Sequence, residues 1–355
     1  MAEFFKKASL VVIFPSLVFV AAALPLRCSL SKDNGIYKSQ DSGVTWQQKV
    51  TISKKENIAA KDILSMAADS LNPEILFIGT RSSGLYKTLD GAESWQQVID
   101  KNNILQNSDD VYDIAISQKN VNFIYLAIYG GGFGRVLRSQ DGGQTWEEAY
   151  VISQSGMPVY KVAIDPVSEA VIYVGTAQGG FLKSSDYGSS WQPLKWFDGG
   201  VSDIKIDNRN NQMIYVNVPG RGIYKSSDQG ANWQLLADSM KSFGGAEQVG
   251  TLLIDRQDSK ILYASLKDAL LVFYDQGQTW QEISILMPTG SATISSLAQD
   301  PQNSQILYYG AESVLYRTAN NGQTWMTLQI PSGKKINLIK IDSVSSDIIY
   351  VGMRN

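Results

Sequence analysis

Residues 139–146 read SQDGGQTW, a run of polar side chains and glycines that ends in a tryptophan. Alone, the carboxylate of Asp141 suits a catalytic acid, a calcium ligand or a turn residue. Six related octapeptides decide among these: SQDSGVTW (39–46), TLDGAESW (88–95), SSDYGSSW (184–191), SSDQGANW (226–233), FYDQGQTW (273–280) and TANNGQTW (318–325). Their tryptophans, Trp46, Trp95, Trp146, Trp191, Trp233, Trp280 and Trp325, recur at intervals of 42 to 51 residues. A fixed period of that size is the mark of a repeat architecture.

A second phrase lies upstream of most copies, as in VAIDPVSEAVIYVGT (162–176), IKIDNRNNQMIYVNV (204–218) and IKIDSVSSDIIYVGM (339–353). Short runs rich in Ile, Val and Tyr, broken by Asp, Asn, Pro and Gly, predict strand, turn, strand. A third strand follows (GLYK, GFLKS, GIYKS), then the octapeptide turn, then a fourth strand beginning at the tryptophan (WQQV, WEEAY, WQLL). Four short strands every 45 residues or so describe a blade of a β-propeller. The ends of the chain show how the ring closes. From the hairpin aspartate to the octapeptide aspartate there are 21 residues in three repeats: 69 to 90, 165 to 186, and 207 to 228. The last repeat stops at Asn355, 13 residues beyond Asp342, and Asn34 to Asp41 supplies the missing eight. The expectation is an all-β, seven-bladed propeller of four-stranded antiparallel blades. Its N-terminal strands (34–50) would pair with C-terminal strands (336–353) in one shared blade, leaving no open edge.

The octapeptides resemble the Asp box of the bacterial neuraminidase repeat, Ser/Thr-x-Asp-x-Gly-x-x-Trp. Four copies are intact, and three depart through Ala92, Phe273 and Asn320. Glycine at the fifth position suits φ > 0, and the carboxylate and hydroxyl can bond the turn backbone. Asp41, Asp90, Asp141, Asp186, Asp228 and Asp275 are therefore expected to be turn locks. The hairpin carboxylates Asp69, Asp165, Asp207, Asp255, Asp300 and Asp342 are expected to form turns as well. Among the families that share these boxes are sialidases, xyloglucan-type glucanases, sortilin-like receptors and photosystem II stability/assembly factors. The wording IYVGT…GIYKSSDQG most resembles the assembly factors. That resemblance implies a non-catalytic interaction scaffold whose boxes lie on the face away from the binding surface.

Composition narrows the chemistry. The chain has 355 residues, 31 Lys+Arg against 34 Asp+Glu, a formal charge of −3, no histidine and one cysteine. Without histidine there is no Ser-His-Asp or Cys-His site and no His-ligated metal. One cysteine permits no internal disulfide. No basic block points to nucleic acid. Neither a calcium loop of the D-x-[DN]-x-[DN]-G type nor a phosphate loop occurs, so no metal or cofactor is expected. Lys6 and Lys7 precede an uncharged apolar run from Ala8 to Leu26, the pattern of an export signal. Cleavage after Ala23, lipidation of Cys28 and retention as a membrane anchor are its three possible fates. Arg27 departs from the lipoprotein pattern. The expected division is a leader or anchor at 1–28, a tether at 29–33 and a propeller at 34–355, monomeric and exported to the cell envelope.

In such blades the loops between strands two and three lie with the inter-blade connections, opposite the boxes. Loops carry binding residues more often than turn locks do. The candidates on that face are Arg81, Phe133, Arg135, Arg221 and Arg354, with Trp196 and Phe197 from LKWFDGG (194–200) and the long segments at 100–110 and 237–248. A protein partner, with a membrane protein as the class suggested by the anchor, is the first expectation; carbohydrate is the second. A glycoside hydrolase would need two facing carboxylates. Asp62 and Asp110, which precede the first strands of adjacent blades, are the nearest pair. The sialidase Phe/Tyr-Arg-Ile-Pro phrase is absent.

Overall fold

The computed structural model describes residues 33–236, 240, 242–243, 249–275, 277–287, 290 and 292–355. Residues 1–32, with the expected leader, Cys28 and all but the last residue of the expected tether, lie outside the described residues, as does most of the 237–248 segment.

Seven four-stranded antiparallel sheets form the blades. Blade 1 contains Ile63–Ala68, Leu76–Thr80, Leu85–Thr88 and Gln96–Gln97, in sequence order from the channel outward. Blades 2 to 6 span residues 110–151, 159–196, 203–235, 252–283 and 294–329. Blade 7 takes its two inner strands, Lys335–Ile341 and Ile349–Arg354, from the C-terminal end and its two outer strands, Gly35–Ser39 and Gln47–Gln48, from the N-terminal end. The closing ladder runs from Gly35↔Met353 to Ser39↔Ile349. Two side-chain latches secure it. Asp62 accepts hydrogen bonds from Asn34 Nδ2 (2.8 Å) and from the Asn355 amide (2.9 Å), while Ser42 Oγ donates to Asp347 across the turns (2.6 Å).

Burial follows from this geometry. Both faces of a blade meet a neighbouring blade, so a second strand has no solvent side and reads as a continuous apolar run. Leu76–Thr80, Ile172–Thr176, Ile214–Val218 and Leu307–Ala311 are buried throughout, whereas the outermost strands are largely exposed. Seven apolar clusters result, each uniting two consecutive blades. One joins Phe77 and Leu85 of blade 1 to Leu126 and Trp146 of blade 2, and another joins Ile36 and Tyr350 of blade 7 to Ile63 and Trp95 of blade 1. The glycine of the IYVGT phrase marks a close approach between blades. A Cβ on Gly79 would lie 2.4 Å from the Val111 carbonyl of the next blade, and one on Gly175 would lie 2.4 Å from Val201.

The octapeptides act as turn locks. In the first, the Thr45 amide and hydroxyl donate to the two carboxylate oxygens of Asp41 (2.8 and 2.6 Å), and the Gly43 amide donates to Ser39 Oγ (2.8 Å). The same pattern recurs at Asp141, Asp186 and Asp228. The degenerate copies keep the lock by substitution. Asn320 Oδ1 still accepts the Thr324 amide (2.9 Å), while its Nδ2 donates to the Thr324 hydroxyl (2.9 Å), reversing one bond. Ala92 takes the glycine position at φ 73° and still donates its amide to Thr88 Oγ1 (3.0 Å). Asp275 keeps its bonds to Thr279 although Phe273 replaces the hydroxyl residue. Three indoles staple adjacent blades: Trp95, Trp191 and Trp325 donate to the carbonyls of Lys49, Ala149 and Ser284, on or just after the outer strand of the preceding blade (2.8–2.9 Å). The hairpin carboxylates cap their own turns as expected, for example Asp69 with the amides of Leu71 and Asn72. In blade 2 a hydroxyl, Ser117 Oγ, does the same for Lys119 and Asn120. One boundary differs from the sequence expectation. Except in blade 5, the fourth strand begins one residue after the tryptophan, because the indole closes the box instead of entering the ladder.

Two expectations follow. The Thr45 and Ser190 hydroxyls, with the turn amides, hold Asp41 and Asp186 down to about 2. A carboxylate depressed in the fold stabilises it above the unfolded-chain value near 4, and that contribution is lost as pH falls toward 2. Thermal unfolding should therefore show Tm dropping through that window. Asp141→Ala should cost roughly 1–2 kcal/mol. Asp141→Asn, which copies the Asn320 arrangement, should cost less than half as much in denaturant titrations.

Candidate functional site

The inner strands surround a central channel. Each runs from the loop-bearing face, where strands two and three are joined, to the face that carries the boxes. At the loop-bearing mouth lies a cavity of about 690 Å³. Its wall holds a ladder of charges on blades 2, 3 and 4. Lys161 Nζ lies 3.4 Å from Asp113 Oδ1, and Lys205 Nζ lies 2.9 Å from Asp203 Oδ1. The carboxylates also tie blades together, Asp113 accepting the Val162 amide and Asp203 the Leu252 amide (both 3.2 Å). Burial opposes ionisation of Asp203, but Lys205 and Lys161 outweigh it and hold the carboxyl below its ordinary value. Burial likewise disfavours the Lys161 ammonium, and Asp113 and Asp203 outweigh it. On the rim, Lys335 pairs with Glu312 (3.1 Å), and Arg354 lines the same cavity.

The sequence candidates fall into three groups. Arg354 lines the channel cavity, although it ends a strand instead of sitting in a loop. Arg81, Phe133 and Trp196 are exposed around the same face. Phe133 opens the third strand of blade 2, and Trp196, 55% exposed, ends the outer strand of blade 3 with its ring beside Gly180. The others serve the scaffold. Phe197 is buried against Tyr224 and Trp233. Arg221 bonds the carbonyl and carboxylate of Asp198, fastening the loop after Phe197. Arg135, also within a strand, donates to Asp109 (3.1 Å) and to the Ile104 carbonyl (3.2 Å), pinning the 100–110 segment.

The two carboxylates of the hydrolytic alternative are engaged. Asp62 holds Asn34 and Asn355 with one oxygen, and its other lies 3.6 Å from Arg81 Nε. Asp110 accepts the amide (2.6 Å) and hydroxyl (3.1 Å) of Ser82 with one oxygen and the Tyr112 hydroxyl (3.5 Å) with the other. Asp110 thus caps the loop between strands two and three of blade 1, and Asp62 ties the ends of the corresponding two strands of blade 7.

The charged ladder was missed in the sequence, although the register contains it. The second residue after the strand-opening apolar position is Ser65 or Ser296 in two blades but Asp113, Lys161 and Asp203 in three consecutive ones. Only the ring geometry shows that these positions share a wall.

Fold and site together define a closed, seven-bladed Asp-box propeller with a polar axial channel. The sequence family described as photosynthesis system II assembly factor YCF48 matches residues 63–353, and the chain belongs to that family. Among solved structures, the GH74 xyloglucanase from Xanthomonas campestris superimposes with TM-score 0.69 at 18% identity, covering 86% of this chain and 52% of that one. A YCF48 bound to a D1 peptide gives 0.63 at 14% identity, covering 83% and 94%. YCF48 from Cyanidioschyzon merolae gives 0.64 at 14%, covering 82% and 95%. The chain thus spans about half the length of the GH74 enzymes it matches. At these identities the likeness is one of fold. No curated protein matches the chain in sequence.

Arg135→Met tests the pinning role. It leaves the buried Asp109 carboxylate without its cation, so unfolding free energy should fall by about 3 kcal/mol. Proteolysis should then cut first within 100–110.

Proposed function

We propose that the chain is an exported, membrane-tethered, non-catalytic propeller that works as an interaction or assembly scaffold and presents its loop-bearing face to a protein client. The observation that carries this reading is the engagement of Asp62 and Asp110. Each spends its oxygens on loop amides, hydroxyls and the closing strands, so neither is poised to protonate a leaving group or activate water. Membership in an assembly-factor family supports the reading, as does a fold neighbour with a bound peptide. The mouth itself suits a peptide. It is broad, with paired charges along its wall. The leader places the chain outside the cytoplasm. Through Cys28 or a retained apolar segment it holds the loop-bearing face toward the bilayer, since the six residues to Asn34 reach at most about 20 Å.

A carbohydrate-directed function, hydrolytic or binding, is the second reading. It rests on exposed Trp196, whose indole offers a stacking surface for a sugar.

Two measurements separate these. Ser82→Cys on the loop-bearing face and Gln144→Cys in a box turn should label unequally on intact cells, with position 82 protected; equal protection sinks the tethered orientation. Photo-cross-linking from position 81 in native membranes should capture a protein client, and the chain should not hydrolyse β-glucan or sialoside substrates. Hydrolysis that disappears in both Asp62→Asn and Asp110→Asn establishes the enzyme reading instead.

A further inference from the structure

The opposite mouth of the channel, on the box face, opens into a second cavity of about 500 Å³. Its lining departs from the repeat at two positions. Two residues before the hairpin aspartate, the seven blades carry Ala67, Ala115, Ala163, Lys205, Leu253, Ala298 and Lys340. One residue after that position's aspartate, or after Ser117 in blade 2, they carry Ser70, Gln118, Pro166, Asn208, Arg256, Pro301 and Ser343. Lys205 is neutralised by Asp203. Lys340 and Arg256 line the box-face cavity, and neither makes a side-chain hydrogen bond or ion pair among the described residues.

The two cations sit on the blade 5 to blade 7 side, with blade 6 between them. Lys340 is half-buried within the inner strand, while Arg256 stands at the rim, open to solvent. Burial, and then the nearby Arg256 guanidinium, push the Lys340 ammonium below the ordinary lysine value, against the pull of Asp342. The nearest carboxylates, Asp342 to Lys340 and Asp300 to Arg256, attract them from beyond ion-pair distance and spend their hydrogen bonds elsewhere. Asp342 caps Val344 and Ser345, and Asp300 takes the amides of Gln302 and Asn303 and the Ser346 hydroxyl. Across the cavity, Asp165 holds Asn211 and Glu169 holds the Ser117 hydroxyl. The third cation of the lining, Lys119, donates to the Val167 carbonyl. A guanidinium fork and an ammonium left unpaired beside one aqueous cavity are the donors that oxyanions recruit.

We propose that Lys340 and Arg256 form a binding site for a phosphate-class dianion, free or as the head of a small phosphate ester, at the box-face mouth of the channel. Two unpaired unit charges match the near-double charge of phosphate at neutral pH and exceed what a single carboxylate needs. The site lies at the mouth opposite the client face and does not rest on the scaffold reading.

The test uses the propeller-bearing chain in phosphate-free buffer at fixed ionic strength. Titration with inorganic phosphate should give saturable 1:1 binding. Lys340→Ala restores the majority residue of the repeat, and Arg256→Ser restores that of blades 1 and 7. Each should weaken binding at least tenfold, while Lys335→Ala at the other mouth should leave it unchanged. Phosphate should raise the Tm of the parent chain and not that of Lys340→Ala; Lys340→Gln, which keeps the chain length without the charge, gives the same comparison. Absence of saturable binding, binding by both Lys340 variants as tight as that of the parent chain, equal weakening by Lys335→Ala, or acetate binding as tightly as phosphate overturns the proposal.

Discussion

The ladder between Gly35–Ser39 and Ile349–Arg354 is the constraint on which the rest depends. A propeller blade has no core of its own; every apolar cluster here belongs to two blades. If blade 7 were not completed by strands from the other end of the chain, blade 1 would lose the partner that buries Ile63, Leu76 and Trp95. The inner half of blade 7 would also expose a strand edge. Closure therefore converts seven marginal sheets into one cooperative unit. The latch at Asp62 reinforces it by binding residues near both ends of the chain.

Tolerance of imperfect boxes follows from the same arrangement. A box fixes one hairpin through a few local bonds, each worth roughly 1 kcal/mol, whereas a blade seam buries several large side chains at roughly 1.5–3 kcal/mol apiece. The seam dominates, so a box can drift provided its turn still closes. Asn320 closes it with a reversed bond, and Ala92 with a left-handed backbone. Natural variation thus identifies which part of the motif matters: an oxygen that accepts the amide four residues on, present in all seven copies.

The same physics explains what was legible in the sequence. The octapeptides, the blade count and the shared blade could be read because each rests on local turn chemistry or on counting along the chain. The roles of Arg135, Arg221 and Phe197 could not be. All three sit beside loops on the expected face, but whether a side chain points to solvent or back across its own loop depends on partners such as Asp109, Asp198 and Trp233, whose placement is tertiary. The charged ladder escaped for a related reason. Alternation along one inner strand does not distinguish a residue facing the channel from one packed against the next blade, and the bulges near the start of these strands shift the alternation further.

A repeat protein supplies its own reference state, and that sharpens the argument from charge. At each register position the other blades show what the fold alone asks for. Where Asp113, Lys161, Asp203 and Lys205 depart from small or apolar residues, they do so together, and their charges are matched within the ladder. Such a set can be retained for holding blades 2, 3 and 4 in register, since the carboxylates also accept amides of the next blade. Lys340 departs at the same register position as Lys205 but brings no carboxylate with it. A half-buried cation without a partner costs stability and contributes nothing to the seam. The alanine found in four other blades shows that the ring can be built without it. What distinguishes the two lysines is therefore not the fold, which treats their positions alike, but whether the compensating charge is part of the chain or must come from outside it.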